Sequence, residues 1–81
     1  MTDLLTGLPN SRYLYMQLEQ ELSRARRAGR PLGIVVIDLD RFKLINDTYG
    51  HHVGDDVLKE VARALRDLFR AGDTVCRWAG D

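Results

Sequence analysis

Residues 32–55, LGIVVIDLDRFKLINDTYGHHVGD, constrain the chain most. Ile34, Val35, Val36 and Ile37 form an apolar, β-branched run. Such a run, closed by a change of character, reads as a strand buried on both faces. It closes on two carboxylates, Asp38 and Asp40. Side chains alternate along a strand, so these two share one face and Leu39 takes the other, toward the core. Acids at the exit of a buried strand are costly unless paired or bound to a metal. The same two residues can also be read as capping or salt-bridged acids. Hard oxygen ligands in this position suit Mg²⁺, which takes one or two carboxylates together with substrate phosphates.

The remaining elements follow from periodicity and punctuation. Residues 1–9 form a lead-in broken by Gly7 and Pro9. Asn10 is a candidate N-cap and Gly29 a candidate stop, so a helix is expected over 10–28, with Leu14, Leu18 and Leu22 at helical spacing. Its basic end, Arg24, Arg26, Arg27 and Arg30, reads as a solvated face favoured by the helix dipole. Pro31 separates that helix from a strand at 32–39. A short helix is expected at 41–48. Gly50 and Gly54 then frame a turn holding His51 and His52. A second amphipathic helix is expected at 55–70, its apolar face made by Val57, Leu58, Val61, Ala62, Leu65, Leu68 and Phe69. Gly72 and Asp73 break it, a second strand is expected at 74–78, and residues 79–81 open a tight hairpin turn. The order is helix, strand, helix, helix, strand.

The chain has 81 residues, one small domain at most, with a modest core. Twelve basic residues balance twelve acidic ones, so nothing in the charge calls for nucleic acid or an anionic membrane. No apolar run approaches the roughly 18 residues of a membrane span, and the polar, acidic N-terminus is unlike a signal peptide. The lone Cys76 excludes an intrachain disulfide or a zinc cluster and fits a reducing, cytoplasmic setting.

Three ordered stretches resemble one family. IDLDRFKLINDTYGHHVGD is similar to the signature of the GGDEF family, the diguanylate cyclases, at Asp38, Asp40, Phe42, Lys43, Asn46, Asp47, Gly50, His51, Gly54 and Asp55. DLLTGLPN, from Asp3 to Asn10, resembles the family's N-terminal motif, and Arg77 to Asp81 resembles the start of the turn that names it. Ser11 stands where the family often has Arg, and Ala79 replaces the first Gly of the turn. The resemblance covers the whole chain. It implies an α/β class fold: an α+β palm on the ferredoxin-like βαββαβ plan of nucleotidyl cyclases. In that plan the strand after the hairpin turn lies between the two expected here. Residues 1–81 would then be the N-terminal part of a single GGDEF domain, an incomplete fragment with exposed strand edges.

Site roles come with the resemblance. Asp38, the carbonyl of Leu39 and Asp81 would hold Mg²⁺ or Mn²⁺, with Asp38 and Asp81 catalytic. The backbone around Phe42 and Lys43, opening a helix, would contact phosphates, while the Phe42 ring packs in the core. Asn46 and Asp55 would read guanine. A carboxylate accepts from N1–H and N2–H₂, and an amide donates to O6 or N7. Taken alone, Asn46 reads sooner as a turn residue and Asp55 as an N-cap than as base contacts. His51 reads as a structural or phosphate-side group and His52 as surface. Arg70-Ala71-Gly72-Asp73 resembles the family's allosteric product-binding site, with Arg24 a further contact from a neighbouring domain.

The implied activity is condensation of two GTP into cyclic di-GMP and pyrophosphate by a homodimer, with cyclic di-GMP as product and inhibitor. The implied setting is the cytoplasm, or the cytoplasmic side of a membrane-anchored parent. The 81-residue chain alone is expected to be inactive. The alternative is a non-catalytic regulatory domain that binds GTP or cyclic di-GMP.

Overall fold

The structure, a computed structural model, describes residues 2–78. It has three helices: α1 (Ser11–Ala28), α2 (Phe42–Tyr49) and α3 (His51–Leu68).

Helix α1 starts where Asn10 caps it. The Asn10 side-chain oxygen accepts a hydrogen bond from the Tyr13 amide at 3.1 Å, satisfying one of the first-turn donors. It stops at Gly29, whose φ of 65° lies in the left-handed region that glycine enters without a Cβ penalty. The Arg30 amide then donates back to the Ala25 carbonyl at 3.0 Å and closes the end. Arg26 and Arg27 occupy the last turn, where the helix dipole favours positive charge.

Helix α3 begins at His51, four residues before the expected start at Asp55. Gly50, at φ 93°, ends α2 and caps α3 at once, so a single residue joins the two helices. The expected turn at His51 and His52 is therefore the first turn of α3, and Asp55 lies inside the helix rather than at its cap. The other end also differs: α3 closes at Leu68, with the Phe69 amide donating to the Leu65 carbonyl at 3.2 Å. Helices α2 and α3 pack on each other, and the buried residues of α3 are Gly54 and Ala62.

Neither expected strand forms a ladder. Segments 32–39 and 74–78 carry no strand among the described residues. A strand exists only through a partner, and none of the described segments offers one to the apolar run. Ile34, Val35, Val36 and Ile37 are 65, 74, 73 and 54% exposed, where burial on both faces was expected. Alternation holds at the end of the run: Leu39 is half-buried while Asp38 and Asp40 are exposed. The radius of gyration, 14.8 Å, exceeds the roughly 12 Å of a compact chain of this length. The buried hydrophobic residues are accordingly few, Leu8 and Ala62.

In place of a large core, a polar network ties the lead-in to residue 77. The Thr6 amide and hydroxyl both donate to Asp3 Oδ2, at 2.9 and 2.7 Å. The Thr6 oxygen accepts from the Leu8 amide at 3.2 Å, and the Asp3 amide donates to the Leu8 carbonyl at 2.7 Å. Gly7, at φ 76°, lets this loop turn back so tightly. Arg77 Nη1 straddles both Asp3 carboxylate oxygens at 3.1 and 3.0 Å, and the Arg77 amide donates to the Pro9 carbonyl at 2.9 Å. Thr2 and Pro9 form an isolated antiparallel bridge. From α3, Arg66 Nη1 reaches the Thr6 carbonyl at 3.4 Å.

Burial by itself would raise the Asp3 carboxyl, but the bonds from Thr6 and the Arg77 guanidinium outweigh it and hold the group below its ordinary 3.8. A carboxylate lowered in this way stabilises the fold above the unfolded-state value, and that contribution is lost as pH falls through the lower folded-state value. Asp3→Asn in the full-length protein should cost about 1–3 kcal/mol near neutral pH. The deficit should shrink below about pH 4. Denaturant unfolding of parent and variant across pH measures it, and a deficit unchanged down to about pH 3 would show that the carboxylate's charge is irrelevant.

Candidate functional site

The turn from the apolar segment into α2 is made by Arg41, whose φ of 57° is the only positive value at a non-glycine among the described residues. A left-handed conformation at such a residue costs energy and marks a position held by its surroundings. It separates Asp40 from α2 by one residue and Asp38 by three. Helix α2 has no side-chain N-cap, and the first backbone bond of its opening turn is the Ile45 amide to the Arg41 carbonyl at 3.3 Å. The amides of Phe42, Lys43 and Leu44 are left as free donors among the described residues. Free amides at a helix N-terminus attract phosphate.

Asp38 and Asp40 are exposed, and neither has a hydrogen-bond or ion-pair partner among the described residues. The reading of them as salt-bridged acids therefore finds no partner there. Exposed, unpartnered carboxylates have the donor chemistry of a hard divalent cation site. No cluster of three or more His, Cys, Asp and Glu side chains occurs among the described residues. Asp81 lies outside the described residues, as do Ala79 and Gly80 of the hairpin turn.

Asn46 on α2 and Asp55 on α3 are both half-buried, and neither side chain has a partner among the described residues. The Gly50 joint brings their helices together. Phe42 is half-buried and Lys43 exposed, in keeping with a packed ring beside a solvent-facing main chain. His51 and His52 are both exposed on the first turn of α3.

Arg70 and Asp73 form a closed turn just past α3. The Arg70 amide donates to Asp73 Oδ2 at 3.2 Å, and the Asp73 amide donates to the Arg70 carbonyl at 3.0 Å. One carboxylate oxygen is thus used by the turn, while the Arg70 guanidinium has no partner among the described residues. The turn lines an open groove of about 610 Å³ that Tyr13, Gln17 and Arg24 of α1 and Arg66 of α3 also border. Arg24 already pairs with Glu21 at 2.9 Å. Exposed pairs of that kind are weak, so the guanidinium is easily redirected. Burial pushes the Cys76 thiol up, which makes it a poor nucleophile.

Three features were not anticipated from the sequence: the Asp3–Arg77 pair, the strained Arg41 and the close approach of α2 to Gly54. The Asp-x-x-Thr spacing at residues 3–6 was the available signal for the first, because short polar side chains at that spacing bond locally.

The family model "Diguanylate cyclase, GGDEF domain" matches residues 1–81. The chain is 46% identical over 79 residues to diguanylate cyclase DosC of Escherichia coli, covering 98% of this chain and 17% of that protein. It is 48% identical over 81 residues to the response regulator PleD of Caulobacter vibrioides, covering all of this chain and 18% of PleD. It is equally identical, 48% over 81 residues, to diguanylate cyclase DgcP of Pseudomonas aeruginosa, of which it covers 12%. The chain thus spans under a fifth of the length of these relatives. A solved structure of TpbB (YfiN) from Pseudomonas aeruginosa, comprising only the GGDEF domain, superposes with a TM-score of 0.94 at 41% identity. That match covers all of this chain and 47% of the other. The family model spans the whole chain and a solved GGDEF domain superposes on all of it: the chain belongs to the GGDEF family.

Proposed function

We propose that this chain is the N-terminal part of a diguanylate cyclase domain that condenses two GTP into cyclic di-GMP and releases pyrophosphate. The observation that carries this reading is the join at Arg41. Two unpartnered carboxylates stand one and three residues before a helix N-terminus with free amides. A cation site and a phosphate site are thereby adjacent in the chain, as nucleotidyl transfer requires.

Each domain holds one GTP, and two domains face each other as a homodimer. The amides of Phe42 and Lys43 receive the phosphates. Asp55 accepts from the guanine N1–H and N2–H₂, and Asn46 donates to O6 or N7. Asp38, the Leu39 carbonyl and Asp81 hold Mg²⁺, or Mn²⁺ in its place. The metal, when bound, lowers the pKa of the attacking hydroxyl and offsets charge on the transferring phosphoryl group. The 3′-hydroxyl of one GTP attacks the α-phosphorus of the other, with pyrophosphate leaving. A second, reciprocal displacement closes the ring. The exposed apolar run at 34–37 is covered, in this reading, by the strand that follows the hairpin turn. Arg70 and Asp73 bind the product and inhibit. The alternative, a regulatory domain that binds nucleotide without turnover, uses the same Arg70–Asp73 turn but gives Asp38 no catalytic task.

Asp38→Asn in the full-length protein should lower turnover by more than about 100-fold, because a neutral amide is a poor ligand for a hard cation. Asp38 is exposed, so the unfolding free energy should stay within about 0.5 kcal/mol of the parent. Steady-state kinetics with GTP, run beside thermal unfolding, checks both, and near-normal turnover would make Asp38 a structural acid. Arg70→Ala should raise the inhibition constant for cyclic di-GMP roughly 10- to 100-fold, from loss of a charge-assisted hydrogen bond. Undiminished product inhibition would leave Arg70 as a helix-end residue.

A further inference from the structure

Glycine is the poorest helix former after proline, yet Gly54 sits inside the 18-residue α3. Its φ is not in the positive region, so the backbone does not require glycine there. The requirement is space. A Cβ at position 54 would fall onto Asn46 Oδ1, 2.9 Å from Asn46 Cγ and 3.3 Å from Phe42 Cζ. At the other described glycines an added Cβ meets nothing within 4 Å or, at Gly7, only the end of Arg66 at 3.6 Å. Gly54 is itself buried, under a half-buried Asn46 whose carboxamide has no hydrogen-bond partner among the described residues. The carboxamide thus rests on the bare backbone of α3, beside Asp55, with its donors and acceptor unspent.

We propose that Gly54 is a positioning residue for purine recognition: the missing side chain is the seat in which the Asn46 carboxamide lies, level with Asp55. This rests on the reading of Asn46 as a base contact. Because α2 and α3 are joined by Gly50 alone, the helices have little freedom to separate. A methyl group at position 54 therefore displaces the Asn46 side chain rather than the helix. Phe42 is touched only at the tip of its ring and shifts by a few tenths of an ångström. The consequence is selective. Phosphate contacts through the amides of α2 and the Asp55 contact persist, while the Asn46 contact to guanine O6, which adenine lacks, is lost.

The test uses the full-length protein and a non-reactive α,β-methylene analogue of GTP, with the matching ATP analogue as the comparison. Binding is measured for the parent, Gly54→Ala, Asn46→Ala and the double variant. Gly54→Ala should weaken the guanine analogue roughly 10-fold, as Asn46→Ala does, and leave the adenine analogue within about 2-fold. The double variant should bind no more weakly than either single one, since both remove the same contact. Melting temperature guards against a folding defect. Introducing Gly54→Ala into the Asn46→Ala background should leave the melting temperature equal or higher, because alanine favours the helix once the carboxamide is gone. Three results overturn the inference while sparing the role of Asn46. The first is unchanged guanine affinity in Gly54→Ala beside weakened affinity in Asn46→Ala. The second is equal loss for both nucleotides. The third is a double variant that melts below Asn46→Ala. Unchanged guanine affinity in Asn46→Ala removes the base-contact reading itself, and the positioning role with it.

Discussion

The Asp3 carboxylate holds this structure together across its length. It accepts from Thr6 twice and from Arg77, a residue 74 positions away in sequence. With Leu8 and Ala62 as the buried hydrophobic residues, apolar burial cannot supply much of that closure. Hydrogen bonds to a charged, partly shielded group are among the stronger polar contacts, and here they act together rather than singly. The Arg77 amide on Pro9 and the Arg66 guanidinium on Thr6 bring the C-terminal segment and α3 to the same loop. Arg77 lies four residues before Asp81. The network therefore fixes the chain just before the C-terminal residues that carry the expected turn.

A second constraint works at the other end of the molecule. Gly50 turns the chain between α2 and α3 within one residue, and Gly54 lets the two helices come close. Asn46 and Asp55, near in sequence, lie on helices packed together through glycines rather than through a large core. Local contacts of this kind are cheap in chain entropy. A site built from them is organised even where the apolar run at 34–37 stands exposed.

Much of this was legible in the residues. Asn10 and Gly29 bound α1 because a side-chain acceptor and a left-handed glycine are the cheapest ways to satisfy helix ends. Of the apolar face expected from 3.6-residue spacing, Val57, Leu58, Val61, Ala62 and Leu65 are half-buried or buried, while Leu68 and Phe69 at its end are exposed. The start of α3 was not legible, because two glycines around a His pair look like a turn. One of them, Gly54, is present for space and not for conformation. The strands expected at 32–39 and 74–78 do not form among the described residues for another reason. β-propensity describes a surface that fits a sheet, and a ladder exists only where a partner is present. The motifs supplied the candidate site residues, and one carboxylate oxygen of Asp73 is taken up by its own turn. That competition between a local bond and a ligand contact cannot be read from a four-residue pattern.

In the proposed function the acids preceding Arg41 serve phosphoryl transfer and not nucleotide binding alone. Incubation of the full-length protein with GTP and Mg²⁺, with products separated and quantified, tests this most directly. Turnover should yield cyclic di-GMP and pyrophosphate in a one-to-two ratio, with two GTP consumed per cyclic product. Recovery of GTP unchanged, from protein that binds it, would contradict the proposal and leave a regulatory nucleotide-binding domain.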